Sequence, residues 1–295
     1  MFSRRRFFGS LGLAGAIGAR AAGRLRLADT RGEKIGVTCD GTTLLEYRYG
    51  AARPKTYIHP LCVPSGQPVT IDGPEDHVHH RGLMVAWSEV NGIDFWGETN
   101  PARHGQIVHQ KFVRLRETPA SEIVCINHWI AEGKLVLVER RSVRVPAPAE
   151  DGVWLDWITE LTAAAEPVKL AAGQHVYNGL GIRFIPAMDG GGVLNSNGAS
   201  TIDKANGEPA AWCAYHGAGN GAAFFDHPSN PRHPNAFFVM NKAFGYMSAA
   251  PTFRAPFDLA VRQSIRFHLG VLAFAGEPKA ETLERRFQSW SRGRQ

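Results

Sequence analysis

The stretch DHVHHRGLMVAWSEVNGIDFW, Asp76 to Trp96, gathers three histidines, an arginine, three carboxylates, an asparagine and two tryptophans in twenty-one residues. Drawn as an extended segment, it puts His77 and His79 on one face and His80 on the other. Two imidazoles on one face beside Glu75 or Asp76 form a two-histidine, one-carboxylate set suited to a divalent transition metal. A sugar site uses more of the stretch. Trp87 and Trp96 offer flat faces for the C–H surfaces of a pyranose, and Arg81, Asn91, Asp94 and the histidines offer hydrogen bonds to its hydroxyls. Imidazole also titrates near pH 6.5, which suits an acid or base. The plain alternative for either tryptophan alone is core packing. In strand register, Asp94 and Trp96 share a face, and a carboxylate beside a buried indole needs a partner or a role.

Two later segments have the same character. GQHVYNGLGIRF brings His175, Tyr177, Asn178 and Arg183 together around glycines that permit close approach of another chain or a ligand. FFDHPSNPRHPNAFF contributes Asp226, His227, Asn230, Arg232 and His233 in a loop stiffened by Pro228, Pro231 and Pro234, read equally as a ligand loop or a self-satisfied turn. Glu139, followed by Arg140 and Arg141, is either a cleft carboxylate or part of a solvated salt-bridged face. The candidate acid–base residues are therefore His80, Asp94, His175 and Glu139. The candidate binding residues are His77, His79, Arg81, Trp87, Asn91, Trp96, Tyr177, Asn178, Arg183, Asp226 and His227.

These side chains need a scaffold, and period-two alternation supplies one from Thr42 onward. In VWLDWITELT, Val153, Leu155, Trp157, Thr159 and Leu161 fall on one face, and Trp154, Asp156, Ile158 and Glu160 on the other. EIVCINHWIAEGKLVLVERRSVRV reads as two strands joined at Glu132-Gly133. QSIRFHLGVLAF is a long strand with Ile265, Phe267, Leu269 and Val271 on one side. The one clear helix is the tail PKAETLERRFQSWSR, where Leu283, Phe287 and Trp290 lie at helical spacing and can dock on a sheet. Between Ala187 and Asn220 a Gly- and Asn-rich region reads as loops around one short strand. The expectation is an all-β chain, a large antiparallel β-sandwich with a C-terminal helix, in one domain spanning residues 22–295.

Residues 1–21 read as a leader. Arg4, Arg5 and Arg6 precede a mildly apolar, Gly-rich stretch from Phe7 to Ala19, and Ala19-Arg20-Ala21 resembles a cleavage site. Ser3-Arg4-Arg5-Arg6-Phe7-Phe8 resembles the twin-arginine signal for exporting folded proteins, which implies the twin-arginine machinery as partner and a periplasmic or secreted destination. The apolar stretch is too short to cross a bilayer, which takes about 20 residues. Removing the leader takes four arginines from the 33 basic residues, leaving 29 against 27 acidic ones. A near-neutral chain argues against a nucleic-acid partner. No later apolar run is long enough for a membrane span. Cys39, Cys62, Cys125 and Cys213 show no C-x-x-C spacing and read as buried apolar residues, with disulfides as the alternative.

The run YIHPLCVPSGQPVTIDGPEDHVHHRGLMVAWSEVNGIDFWGE, followed by VYNGLGIRF and FFDHPSNPRHP, is similar to the bacterial family labelled "methane oxygenase PmoA", soluble and often exported proteins. That resemblance spans nearly the whole mature chain. It implies a sandwich similar to the galactose mutarotase supersandwich and a link to carbohydrate metabolism. The expected function is action on a glycoside or modified sugar by histidine and carboxylate proton transfer, with a small carbohydrate as substrate and no resident cofactor. The alternatives are a non-catalytic carbohydrate-binding protein and a metal-dependent oxygenase or hydrolase with His77, His79 and Asp76 as ligands.

Overall fold

A computed structural model describes residues 23–98, 100, 104–173, 176 and 178–293. The leader, His175 and Tyr177 lie outside these described residues. The described residues form two eight-stranded sheets in which neighbouring strands pair antiparallel. Across the first sheet the order is Leu25–Thr30, Lys34–Cys39, Thr42–Arg48, Tyr57–Leu61, Leu83–Trp87, Asn178–Arg183, Tyr246–Ala249 and Phe237–Met240. Across the second it is Gly192–Asn195, Trp212–Gly217, Asn220–Asp226, Ser264–Ala275, Val153–Ala163, Lys134–Val145, Ser121–Ala131 and Gln106–Arg116. Phe257–Leu259, Val168–Ala171 and Glu89–Val90 form a small third sheet.

Alternation explains how the large sheets face each other. Val85, Trp87, Leu180 and Met247 of the first sheet share one core with Trp129, Trp157, Phe267 and Val271 of the second. The ring centroids of Trp87 lie 6.1 Å from Trp129 and 5.7 Å from Phe267, so the indoles knit the two layers. The expected inward set Val153, Leu155, Trp157, Thr159 and Leu161 is buried. The hairpin turns at Glu132 (φ 50°) and Gly133 (φ 73°), the left-handed pair that a two-residue connection needs. All four cysteines are buried and unpaired.

The tail forms the helix Ala280–Ser291, which docks Leu283, Phe287 and Trp290 on the outer face of the second sheet against Trp154, Trp212, Phe225 and Leu272. Burying side chains of this size contributes roughly 1.5–3 kcal/mol each. The region 187–220 holds two strands rather than the expected one, because Trp212–Gly217 is also a strand. Its residues Trp212 to Tyr215 are buried on both sides, between the core and the helix, so no polar alternation marks them.

The outer face of the first sheet carries the features that matter below. Register aligns Tyr57, Met84, Gly181, Ser248 and Phe238 in one row across five strands. Tyr57, Met84, Ala86, Trp96, Phe244 and Tyr246 form a separate apolar cluster there. Gly181 is required: a Cβ on it would collide with the Tyr246 hydroxyl and lie 3.3 Å from Trp96.

Candidate functional site

The histidine run is a pair of turns, not the extended segment expected. Pro74 fixes the first turn, His77 N–H donates to the Pro74 carbonyl at 3.0 Å, and His80 N–H donates to the His77 carbonyl at 2.9 Å. Tight turning brings all three imidazoles together. The His77 and His80 rings stack at 4.7 Å with an interplanar angle of 16°, and His79 lies 5.5 Å from His77 and 4.6 Å from His80. Phe244 packs against His77 at 4.5 Å, and Tyr246 and Trp96 lie 5.3 and 6.2 Å from His80.

Arg183 enters this cluster from the strand Asn178–Arg183, about a hundred residues away in sequence. It donates to Asp76 Oδ2 at 2.9 Å and to His80 Nδ1 at 3.2 Å, with its guanidinium 3.8 Å from the Phe244 ring. Asp76 Oδ2 also meets His77 Nδ1 at 3.0 Å. Burial alone would raise the Asp76 pKa, but hydrogen bonds from Arg183 and His77 bring it below its ordinary value. Burial, with the charges of Lys55 and His77, lowers His79 to about 4. Burial pushes His80 down to about 2, with the neighbouring histidines and Arg183 adding to it. His77 side chain is 36% exposed, so the turn presents it to solvent while His80 is held inside. On the same face Arg183 Nε and Ser248 Oγ are buried without a hydrogen-bond partner among the described residues.

A second, buried network supports the loop that carries Trp96. Lys55 Nζ meets Glu98 at 3.2 Å and donates to the Trp96 carbonyl. Arg81 meets the same carboxylate through Nε at 3.1 Å and reaches Asp72 at 3.2 Å, and the Tyr57 hydroxyl donates to Asp72 at 2.8 Å. Burial would raise Glu98, yet Lys55 and Arg81 hold it below the ordinary carboxylate range. Lys55 is lowered, by burial first, with Glu98 opposing. Lys55, Asp72, Glu98, Phe244 and Tyr246 were not among the sequence candidates. Glu98 was the most findable of them, since it lies two residues beyond Trp96 in an already dense stretch.

Of the sequence candidates, the fold brings His77, His79, His80, Arg81, Trp96 and Arg183 together. The other described candidates lie elsewhere. Trp87 is core, its indole N–H donating to Thr252 at 3.0 Å. Asn91 latches a turn to Pro167 and Lys169. Asp94 does not share a strand face with Trp96; its Oδ1 accepts the Trp96 and Gly97 backbone N–H groups at 2.6 and 3.0 Å, the habit of a short acidic side chain in a turn. Glu139 is neither a cleft carboxylate nor solvated. It is 0% exposed inside the sandwich, salt-bridged to Arg141 at 2.7 Å and bonded by Asn127 and Trp129. Asn178 accepts the Thr252 N–H. Asp226 is buried under donors from Asn230, His233 and Asn235, and His227 stacks on His268 beside Trp290. That loop therefore belongs to the second sheet and does not close the histidine site.

The ligands of the metal alternative, His77, His79 and Asp76, lie in this cluster. Asp76 Oδ2 is taken by Arg183 and His77, and His80 Nδ1 by Arg183. Among the described residues no group of three or more His, Cys, Asp or Glu side chains is placed to hold a metal ion. No helix among them is long and apolar enough to cross a membrane.

The chain is similar to several solved structures. They include a heparan sulfate lyase HepC mutant from Pedobacter heparinus (10% identity, 88% of this chain and 36% of that one, TM-score 0.41). An α-galactosidase from Lactobacillus brevis matches at 10% identity over 85% of this chain and 40% of that one, TM-score 0.44. A putative kojibiose phosphorylase from the human microbiome matches at 8% identity over 92% and 36%, TM-score 0.36. This chain thus spans about a third to two fifths of their length. All three are carbohydrate-active by name, but at TM-scores below 0.5 the likeness carries no argument about function. No curated protein matches the sequence. The expected kinship to the methane oxygenase label is overturned, because the matching family model carries no such activity and nothing points to PmoA. That model covers residues 34–288, and the chain belongs to the family it describes, a family of unknown function (DUF6807).

Proposed function

We propose that this protein acts on a carbohydrate at the outer face of its first sheet, with His77 as the proton-transferring residue. The observation that carries the reading is the Asp76–His77 pair: an ionised carboxylate holds His77 Nδ1 at 3.0 Å and is itself held by Arg183 at 2.9 Å. A carboxylate so placed orients the ring and stabilises the imidazolium that forms when Nε2 accepts a proton. Beneath the histidines lie the buried rings of Trp96, Phe244 and Tyr246, and the buried Arg183 Nε and Ser248 Oγ, which have no hydrogen-bond partner among the described residues, are polar atoms that a ligand group reaching them would satisfy. This assignment shifts the acid–base role from His80 to His77, because His80 stays neutral at working pH.

The test is incubation of the purified protein with neutral and acidic oligosaccharides, following substrate loss by chromatography and binding by calorimetry. Turnover of at least one sugar is expected, reduced ~10²-fold or more in His77→Ala. Binding with no turnover by the wild-type protein would leave a carbohydrate-binding module instead. The leader supports export to the periplasm through the twin-arginine route, and fractionation of cells carrying Arg4→Lys, Arg5→Lys and Arg6→Lys together is expected to retain the protein in the cytoplasm.

A further inference from the structure

Two stacked imidazoles, His77 and His80, are gripped by the two ends of one ion pair, and the partners impose opposite proton arrangements. Asp76, ionised, only accepts hydrogen bonds, so His77 Nδ1 carries the hydrogen and Nε2 presents its lone pair. Arg183 only donates, so His80 Nδ1 accepts at 3.2 Å and the hydrogen of that ring sits on Nε2. Both rings are anchored through Nδ1, stacked at 4.7 Å and nearly parallel. Each ring therefore turns its Nε2 away from the ion pair, His77 as a base on a partly exposed side chain and His80 as an N–H donor on a buried one.

From this juxtaposition we infer that the site carries out enolising proton transfer on a sugar that has a carbonyl or carboxyl group next to a C–H bond. The inference rests on the carbohydrate reading above and names its substrate class. His77 Nε2 takes the proton from that carbon. The C–H electron pair becomes the new C=C bond, and the carbonyl pair moves to oxygen, where the His80 N–H donates a hydrogen bond. Imidazolium at His77 is stabilised by Asp76. The oxyanion pair then re-forms the C=O bond, and the enolate C=C pair either takes the proton back at the same carbon or becomes a C=C bond to the next carbon, whose C–O bond breaks with its pair on the leaving oxygen, which takes the proton from His77. No co-reactant is needed.

Hydrolysis fits the same residues less well. A glycosidase needs a carboxyl pair, one giving a proton to the leaving oxygen and one facing the anomeric carbon. Here Asp76 is engaged by Arg183 and His77, Glu98 by Arg81 and Lys55, and Asp72 by Arg81 and Tyr57. His80, neutral because it is buried, gives a hydrogen bond rather than a proton. A base beside a neutral imidazole donor is an arrangement suited to enolate formation.

The test has two arms on the full chain. Long-range 15N–1H spectra of histidine-labelled protein at neutral pH are expected to show His77 protonated at Nδ1 and His80 at Nε2; the reverse assignment, or an imidazolium at His80, overturns the proposal. In heavy water, oligogalacturonate, D-fructose and the neutral disaccharides lactose and cellobiose are incubated with the protein. Deuterium beside the carboxyl or carbonyl group, or an unsaturated uronate, is the expected result, with the rate reduced ~10²-fold in His80→Leu. Cleavage of lactose or cellobiose without deuterium incorporation keeps the carbohydrate reading and overturns enolisation. Binding of any of these sugars without exchange overturns it as well, and neither binding nor exchange across the set removes the carbohydrate reading together with it.

Discussion

The outer faces of the two sheets both carry histidines, carboxylates and large aromatic rings, yet they differ in what they leave open. On the second sheet, Asp156 accepts from His268 at 2.6 Å and from Trp290 of the terminal helix at 2.8 Å. His227 stacks on His268 at 4.4 Å and accepts the Ser229 N–H through Nδ1. At the inward-facing end of its strand, next to this face, Asp226 collects four donor groups from three residues. The helix covers this face, and its polar groups are spent on holding helix and loop in place. On the first sheet no helix among the described residues covers the histidines. Histidines stand in turns over a sheet thinned by glycine, and one of them, His77, keeps an exposed ring edge. The comparison teaches that clustered histidine and carboxylate mark a site only where the partners leave an edge unsatisfied.

That contrast can be broken most severely at Asp226. Asp226→Ala would strand buried donors of Asn230 and Asn235, and is expected to cost about 3–5 kcal/mol of unfolding free energy, read from a urea midpoint. A loss under about 1 kcal/mol would mean that the second face is not a structural hub. His77→Ala is expected to do the opposite, lowering sugar turnover ~10²-fold or more while moving stability by less than about 1 kcal/mol, since the ring is partly exposed. Comparable losses in both quantities would erase the distinction between the faces.

Smaller effects sharpen it. Asp156→Asn weakens the charge-assisted bond to His268, and about 1–2 kcal/mol is expected, with hydrogen exchange speeding up in Ala280–Ser291 and not in residues 74–80. Uniform acceleration would contradict the local role. A further test is in pH. Burial pushes His79 down to about 4 and His80 down to about 2, below the ordinary imidazole 6.5, so the unfolded chain binds more protons than the folded one as pH falls below 6.5. Stability is therefore expected to decline between pH 6.5 and about 4, and His80→Gln should flatten the decline. A slope unaltered by that change would place the acid sensitivity of that window elsewhere, and not at Asp76 or Asp156. Their depressed carboxyl pKa values act only as pH falls below the ordinary 3.8.

Much of the fold was legible along the chain. Alternation in Val153–Ala163 identified its buried face, Glu132-Gly133 identified a hairpin, and the spacing of Leu283, Phe287 and Trp290 identified a helix and its docking stripe. Trp212–Gly217 escaped because a segment buried on both faces has no period. The site was legible only in part. Density of ionisable residues pointed to residues 76–96, but the assumption of an extended backbone separated His80 from His77, and the turns set by Pro74 reunited them. Glu139 looked solvated because its buried partner, Arg141, is two residues away on the same face, and Thr56, which accepts from Arg141 at 2.8 Å, lies far off in sequence.

Period and turn chemistry act over a few residues, and so the amino-acid order by itself determined the strands, the hairpin and the amphipathic tail. Hydrogen-bond partners are chosen in space. Whether His77 meets a carboxylate and His80 a guanidinium depends on sheet register that brings Arg183 beside the loop over a separation of 107 residues from Asp76. Tertiary structure alone decided which of two equally polar stretches was consumed in packing, and which kept a partly exposed imidazole, His77.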